Sequence, residues 1–308
     1  MSLHGYLLGE AAGSCPYIAG NEMTQERFVA ESINEDDLDE LLAAGYRHFG
    51  TYFFRPVCAL CHKCVPLRIP VREYVFGRSG RRILNRGRGF LVTLERPRPS
   101  HDAYKLYLRH KRRFRPPEAG VAPNREGAAP FEEPPAAPET KTGAAPNDGV
   151  GRGSSAGASN ELGAGEERYE EFVETFFHPF PFSYQLSVYD EGRLIAVSHI
   201  DMTKRSISAI YCYYDESYAR ESLGSLAILR EIEIARDRNL DWVYLGYYIE
   251  ENSHMRYKAR FAPNEALLEE GNWVKLIDSG ARNNDNIERT GSVEFIPRHR
   301  LRADARNE

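Results

Sequence analysis

A chain of 308 residues, 42% hydrophobic and 11% aromatic, has enough apolar material for one large domain or for two. Its formal net charge of -5 and pI near 6.0 exclude a nucleic-acid binder that works by overall basicity. No apolar run reaches membrane-spanning length, and residues 1–10 lack the basic-then-apolar pattern of a secretory signal, so the sequence reads as soluble and cytoplasmic.

The first chemical feature is a set of thiols. Cys15 stands in Ser-Cys-Pro-Tyr, and Cys58, Cys61 and Cys64 follow at two-residue spacing. A short turn between such cysteines brings successive sulfurs to one side. In a reducing compartment that pattern suits zinc or an iron–sulfur cluster better than disulfides. The plainer alternative is a partial site with Cys15 as a lone thiol. Residues 35–44 read as a short amphipathic helix, with Leu38, Leu41 and Leu42 on one face and Gly45 just past its end. Residues 46–55 alternate aromatic and polar side chains and read as a strand; residues 66–72 read as a second strand.

Arg78, Arg81, Arg82 and Arg86 recur at helical spacing, and Lys105, Arg109, Lys111, Arg112 and Arg113 follow in a second helical stretch. Such a block is either an anion-binding face or a solvated helix surface. Residues 114–167 are rich in Pro, Gly, Ala, Ser and Glu, cannot offset their ordering entropy, and read as a low-complexity insertion. Residues 184–189, 194–201 and 206–214 alternate, with turns between them, and predict a three-stranded antiparallel meander. Residues 223–237 show helical periodicity through Leu226, Leu229, Ile232 and Ile234 or Ala235, and residues 241–249 read as an apolar strand. Residues 274–308 read as a polar extension. The expectation is an α+β protein. Its parts are a cysteine-site domain (1–113), the insertion (114–167), a second domain with a mixed, mainly antiparallel sheet (168–273), and the extension (274–308).

Gly224 and Ser225 open the long helix. A glycine there lets a ligand approach free backbone N–H groups, which with the helix dipole favour phosphate. This resembles the pyrophosphate loop of the GCN5-related N-acetyltransferase fold, although Ser225 replaces its second glycine. The plainer reading is an ordinary helix start capped by Ser222.

A wider resemblance emerges from several motifs in order. They are Cys15-Pro-Tyr17, Gly45-Tyr-Arg-His-Phe-Gly50, Phe54-Arg-Pro56 before the cysteine run, Pro66-Leu-Arg-Ile-Pro70 and Arg78-Ser-Gly-Arg-Arg82. The second half adds Ser222-Leu-Gly-Ser225, Tyr244-Leu-Gly-Tyr-Tyr-Ile249 and Met255-Arg-Tyr-Lys-Ala-Arg-Phe-Ala-Pro263. Together they resemble the arginyl-tRNA–protein transferase family, in the bacterial branch that includes the aspartate/glutamate leucyltransferases. The resemblance covers residues 13–110 and 168–273. It implies an enzyme that moves leucine or arginine from aminoacyl-tRNA to the N-terminal α-amine of proteins beginning with Asp or Glu, marking them for degradation. It also implies an acetyltransferase-like second half that receives a tRNA 3′ end, with no acyl-CoA. On Cys15, Cys58, Cys61 and Cys64 it implies an iron–sulfur cluster, with zinc as the alternative.

Aminolysis of an activated ester needs juxtaposed reactants, a proton acceptor and oxyanion stabilisation, and no covalent nucleophile. The acceptor's carboxylate needs a cation. Lys258 is the first candidate, with Tyr257 as a polar wall; Arg256 and Arg260 would share its face if the segment were extended. Candidate proton acceptors are Glu250, Glu251 and Asp215. Arg78, Arg81 and Arg82 are candidates for tRNA phosphates, and Gly224 and Ser225 for the nucleotide end of the donor. Two rivals predict different outcomes: an acyl-CoA N-acyltransferase, and a non-catalytic metal-ribbon module that binds RNA or a partner without transfer.

Overall fold

The computed structural model describes residues 3–112, 169–178, 180–268 and 271–277. The insertion expected at 114–167, and the extension beyond residue 277, lie outside the described residues. The chain begins with a hairpin of β1 (His4–Ser14) and β2 (Glu22–Ser32), followed by α1 (Glu35–Ala43), β3 (Arg47–Phe49) and β4 (Tyr52–Pro56). Then come β5 (Val65–Pro70), α2 (Arg78–Arg86), β6 (Leu91–Glu95), α3 (His101–Arg112) and α4 (Tyr169–Phe176). The meander is β7 (Ser183–Asp190), β8 (Arg193–Met202) and β9 (Ser206–Tyr214). α5 (Leu223–Asp237), β10 (Trp242–Tyr248), α6 (Ser253–Arg256), β11 (Asn264–Leu267) and β12 (Trp273–Ile277) complete it.

Local chemistry explains most of these boundaries. The Asn34 side chain accepts from the Asp37 amide at 2.7 Å, and three acidic residues fill the first turn of α1, where the helix dipole favours them. The single strand expected over residues 46–55 is instead two strands. Gly50 turns the chain at φ +51, and a Cβ there would lie 2.7 Å from the Glu174 carbonyl oxygen, so the hairpin needs a glycine.

Two sheets form. The smaller has the order β1-β2-β4-β3, and the larger β12-β11-β5-β10-β9-β8-β7-β6. Every ladder is antiparallel except that of β9 with β10, which the crossover through α5 makes parallel. The boundary expected near residue 113 does not separate the sheets. β5 lies between β10 and β11, and β6 pairs with β7. Leu67 and Ile69 of β5 are fully buried with Ile207, Ile228, Ile232 and Val243, so the early strand completes the late core. Residues 274–277, expected in the polar extension, continue from Trp273 as β12 against β11. Trp273 anchors it: its ring lies 4.2 Å from the Arg68 guanidinium, and its Nε1 donates to the Ala43 carbonyl at 3.1 Å.

α5 covers one face of the larger sheet through Leu226, Leu229, Ile232 and Ala235. α3 and α4 bring Tyr107, Phe172 and Phe176 against Tyr213 and Val197. α2 lies on α5 with its arginines outward: Ile83 and Leu84 pack against the core, and Gly80 and the capping Gly87 allow the close approach. A Cβ on Gly80 would meet Leu229 at 3.3 Å, and one on Gly87 would meet Leu226 at 2.7 Å. The substitution Gly87→Val should therefore overpack the α2–α5 contact and destabilise the fold by about 1–3 kcal/mol. Denaturant melts check this; an unchanged midpoint would mean that α2 does not pack there.

Candidate active site

β9 and β10 pair only at Trp242 with Ser206, Val243 with Ile207 and Tyr244 with Ser208. Beyond those pairs each strand continues with its other neighbour, β9 with β8 as far as Tyr214 and β10 with β5 as far as Tyr248. The facing edges part, and their backbone groups need other partners. Arg47, at the start of β3 in the smaller sheet, donates from Nη2 to the carbonyl of Ala209, the residue just past the last paired position. On the opposite edge β10 is bulged between Tyr244 and Gly246, and Gly246 has φ +79. A Cβ on Gly246 would stand 3.5 Å from Arg47 Nε, 3.5 Å from Lys258 Nζ and 3.6 Å from Arg47 Nη2. Two cations therefore face one point in the gap.

Lys258 arrives from a helical segment. Asn252 caps α6, accepting from the His254 amide at 2.9 Å and donating to the Tyr17 carbonyl at 3.0 Å. A 3₁₀ turn over Tyr257–Arg260 follows. The segment is thus not extended, and Arg256, Lys258 and Arg260 do not share a face. Arg256 and Arg260 are exposed, whereas Lys258 is half-buried and donates from Nζ to the Tyr247 carbonyl at 3.2 Å. Burial, and then the neighbouring Arg47 guanidinium, bring the Lys258 amine down to about 7. Arg47 is also half-buried, and burial lowers its pKa as well.

The smaller sheet is fixed to the larger one beside this gap. His48 Nε2 lies 2.5 Å from Asp201 Oδ2, Ser183 Oγ donates to Asp201 Oδ1 at 2.9 Å, and the Tyr247 hydroxyl donates to the Gly45 carbonyl at 3.0 Å. On the α5 side lies Glu231, with no exposed surface. Its Oε1 accepts from Ser198 Oγ at 2.8 Å and its Oε2 has no hydrogen-bond partner. Burial raises this carboxyl to about 7, against the lowering effects of Ser198 and Arg47. Burial also drops His199 to about 3, leaving a neutral ring beside the Tyr213 hydroxyl at 3.2 Å.

Arg47 and Glu231 were not among the residues expected from sequence. Arg47 lies inside the Gly45–Gly50 motif, where a cation amid aromatics was the available signal. Glu231 is an acidic residue on the apolar face of the helix predicted over residues 223–237, a mismatch that marks it.

The other expected residues are distributed as follows. Tyr257 is half-buried with its ring edge-on to Phe261 at 6.3 Å. Glu250 is exposed just past the end of β10. Glu251 pairs with Lys63 at 2.7 Å, and Asp215 pairs with Arg193 and caps a 3₁₀ turn by accepting from the Ser217 amide at 3.0 Å. A Cβ on Gly224 would meet the Tyr214 ring at 3.2 Å, so helix-on-strand packing accounts for that glycine. Ser225, next to it in the first turn of α5, is half-buried. Ser222 precedes α5 at φ +55 and makes no side-chain capping bond, which corrects the expected cap. Arg78, Arg81 and Arg82 are exposed. With Asn85 and Arg86 they line an open depression of about 530 Å³, and among the described residues none of the three pairs with a carboxylate. Arg86 donates to the Arg220 carbonyl, joining this face to the approach to α5.

None of the five cysteines is in a disulfide, and all are half-buried. Cys15, Cys58 and Cys64 pack with Tyr17, Met23, Tyr247, Ile249 and Met255. Burial pushes the Cys64 thiol up, and Cys15, Cys58 and Cys61 push it further. Four thiols close enough to oppose one another's ionisation are a donor set whose repulsion a bound cation would relieve. Among the described residues, however, no group of three or more His, Cys, Asp or Glu side chains is drawn in to metal-binding spacing. No described helix is long and apolar enough to cross a membrane.

Comparison with known proteins follows the same two halves. A family profile described as the N terminus of arginine-tRNA-protein transferase matches residues 13–82, and one described as its C terminus matches residues 156–268. An aspartate/glutamate leucyltransferase of Campylobacter jejuni is 30% identical over 259 residues, covering 82% of this chain and 89% of that one. Leucyltransferases of the same description from Helicobacter hepaticus and a Shewanella species are 28% and 29% identical, covering 82% and 83% of this chain and 88% and 89% of theirs. Among solved structures, the C-terminal domain of a putative lysylphosphatidylglycerol synthetase from Agrobacterium fabrum aligns with 83% of this chain and 77% of its own, at TM-score 0.37 and 10% identity.

The buried carboxyl of Glu231 has a stability signature. The native state holds its proton up to about 7, against an ordinary value of 4.5. Its contribution is present below the ordinary value and is lost as pH rises through about 7. Glu231→Gln cannot ionise, so relative to wild type it should gain roughly 1–3 kcal/mol between pH 5 and pH 8. Urea melts at both pH values measure the gain, and parallel pH dependence in the two proteins would contradict it.

Proposed function

The chain belongs to the arginine-tRNA–protein transferase family, and on that premise we propose that it moves an amino acid from aminoacyl-tRNA to the N-terminal α-amine of proteins beginning with Asp or Glu. Leucine is the amino acid we assign, following the names of the relatives; arginine is the alternative. The observation that carries the proposal is the half-buried Lys258 amine at the parting of β9 and β10. A β9–α5–β10 unit with diverging edges suits a GCN5-related acyltransferase, which holds its acyl donor in such a gap.

The acceptor enters as a neutral amine, a fraction of the total at cellular pH because its pKa is about 8. Its nitrogen attacks the ester carbonyl of the aminoacyl group. A C–N bond forms, the C–O bond to the ribose breaks, and the tRNA leaves with a free hydroxyl. One proton passes from the amine to that hydroxyl, and Glu250 is the relay we put forward. Backbone N–H groups freed where the strands part can meet the oxyanion. Lys258, charged below about 7, receives the acceptor's carboxylate, and the bound anion holds the proton on. Tyr257 borders this place, and Arg256 and Arg260 lie outside it. Arg78, Arg81 and Arg82 take tRNA phosphates, with Gly224 and Ser225 nearest the donor's 3′ end. The modified N-terminus then marks the acceptor for degradation in the cytoplasm.

The cysteines would hold an iron–sulfur cluster or zinc through Cys15, Cys58, Cys61 and Cys64. The group's contribution when bound is to compensate the thiolates. Protein purified without oxygen should then contain iron and sulfide with visible absorbance, or stoichiometric zinc; a metal-free, colourless product would exclude both.

The direct test incubates the protein with tRNA carrying labelled Leu or Arg and with peptides beginning Asp, Glu, Arg or Ala. Label should pass from leucyl-tRNA to the Asp and Glu peptides alone, and absence of transfer from either tRNA would refute the proposal. Lys258→Ala should abolish transfer while leaving tRNA affinity unchanged. Each Ala substitution at Arg78, Arg81 or Arg82 should lower the salt slope of tRNA binding by roughly one unit. A salt-insensitive affinity would remove that face from the account.

A further inference from the structure

We propose that Arg47 is a specificity-determining residue: with Lys258 it forms a two-cation site for the side-chain carboxylate of an acceptor's N-terminal Asp or Glu. The inference rests on the transferase function proposed above.

Geometry motivates it first. Arg47 Nε, Arg47 Nη2 and Lys258 Nζ all lie 3.5–3.6 Å from where a Gly246 Cβ would be. Gly246 has none, and its φ of +79 disfavours any other residue, so that space stays open. Two like charges facing one point oppose each other unless an anion comes between them.

Among the described residues no carboxylate fills that role. Among the described residues neither Arg47 nor Lys258 forms an ion pair. Asp201 is committed to His48 and Ser183, and Glu231 is buried on the α5 side with Ser198. The remaining groups that act on Arg47 are the phenols of Tyr17, Tyr244 and Tyr247. The guanidinium donates from Nη2 to the Ala209 carbonyl, and its Nε stands beside the open space over Gly246. Both residues are half-buried, and burial is the largest influence on each charged group.

A carboxylate satisfies both cations at once, with charge-assisted bonds. Asn or Gln brings the same shape without the charge and leaves the two cations uncompensated. A site built this way should prefer Asp over Asn by on the order of 100-fold. Because Arg47 comes from the smaller sheet and Lys258 from the far end of the chain, the site exists only when the sheets are docked.

The test uses the full chain with leucyl-tRNA and two peptides that differ only in an initial Asp or Asn. The readout is the ratio of their kcat/KM values in wild type, Arg47→Met and Arg47→Lys. Arg47→Met should collapse the ratio by about 30-fold or more, and Arg47→Lys should keep most of it. A folded Arg47→Met that slows both peptides equally, leaving the ratio unmoved, overturns the proposal, since that is the mark of a merely structural residue. A second measurement needs neither variant nor tRNA. Isotope-labelled lysine NMR of wild type should show the Lys258 amine titrating at higher pH with the Asp peptide and unchanged with the Asn peptide; no difference between the peptides also overturns it. A wild type that transfers to no peptide counts against the transferase function, and the titration still decides the two-cation site.

Discussion

The parting of β9 from β10 after Tyr244 and Ser208 is the constraint on which the rest of the structure depends. A parallel pair that stops short leaves backbone groups facing a gap, and each must find a partner or remain exposed. Arg47 supplies one from the smaller sheet, and Lys258 supplies another from the turn after α6. The same two contacts that satisfy the backbone set two cations side by side. Structural repair and chemical provision are therefore one arrangement. The cost appears as the lowered pKa of Lys258, which burial brings down first and the Arg47 guanidinium second.

This arrangement also explains why the first ~100 residues cannot be an independent appendage. β5 is an interior strand of the larger sheet, paired on one side with β10 and on the other with β11. The cysteine loop leads directly into β5, and Val65 pairs with Tyr248 at the open end of β10. Cys64 packs with Tyr247, and Lys63 reaches Glu251 just beyond. Cys64 thus sits against the strand whose glycine faces Arg47 and Lys258.

Much of this was legible in the residues themselves. The Leu226–Ala235 periodicity predicts α5 with its bounds, and the alternation over residues 184–214 predicts the three-stranded meander, because both rest on local side-chain spacing. The family resemblance, carried by short motifs spread over both halves, agrees with the profile matches. What was not legible depends on contacts distant in sequence. Nothing near Arg47 reveals that its partner is the Ala209 carbonyl, 162 residues away. The hairpin at Gly50 was hidden because a left-handed glycine leaves the aromatic alternation around it intact. Lys258 was identified by type and position, yet its inward direction comes from the Asn252 cap and the 3₁₀ turn, which an extended reading of the segment misses. The close approach of the Tyr214 ring to the glycine opening α5 is another contact that local spacing does not reveal.

The central claim is that the acceptor's acidic side chain lies in the gap between β9 and β10. A crystal structure of the protein with a short Asp-initiated peptide tests it most directly. The account predicts the aspartate carboxylate within hydrogen-bonding distance of both Arg47 and Lys258, over Gly246. A carboxylate held instead by the arginines of α2, or one that touches neither Arg47 nor Lys258, would contradict it.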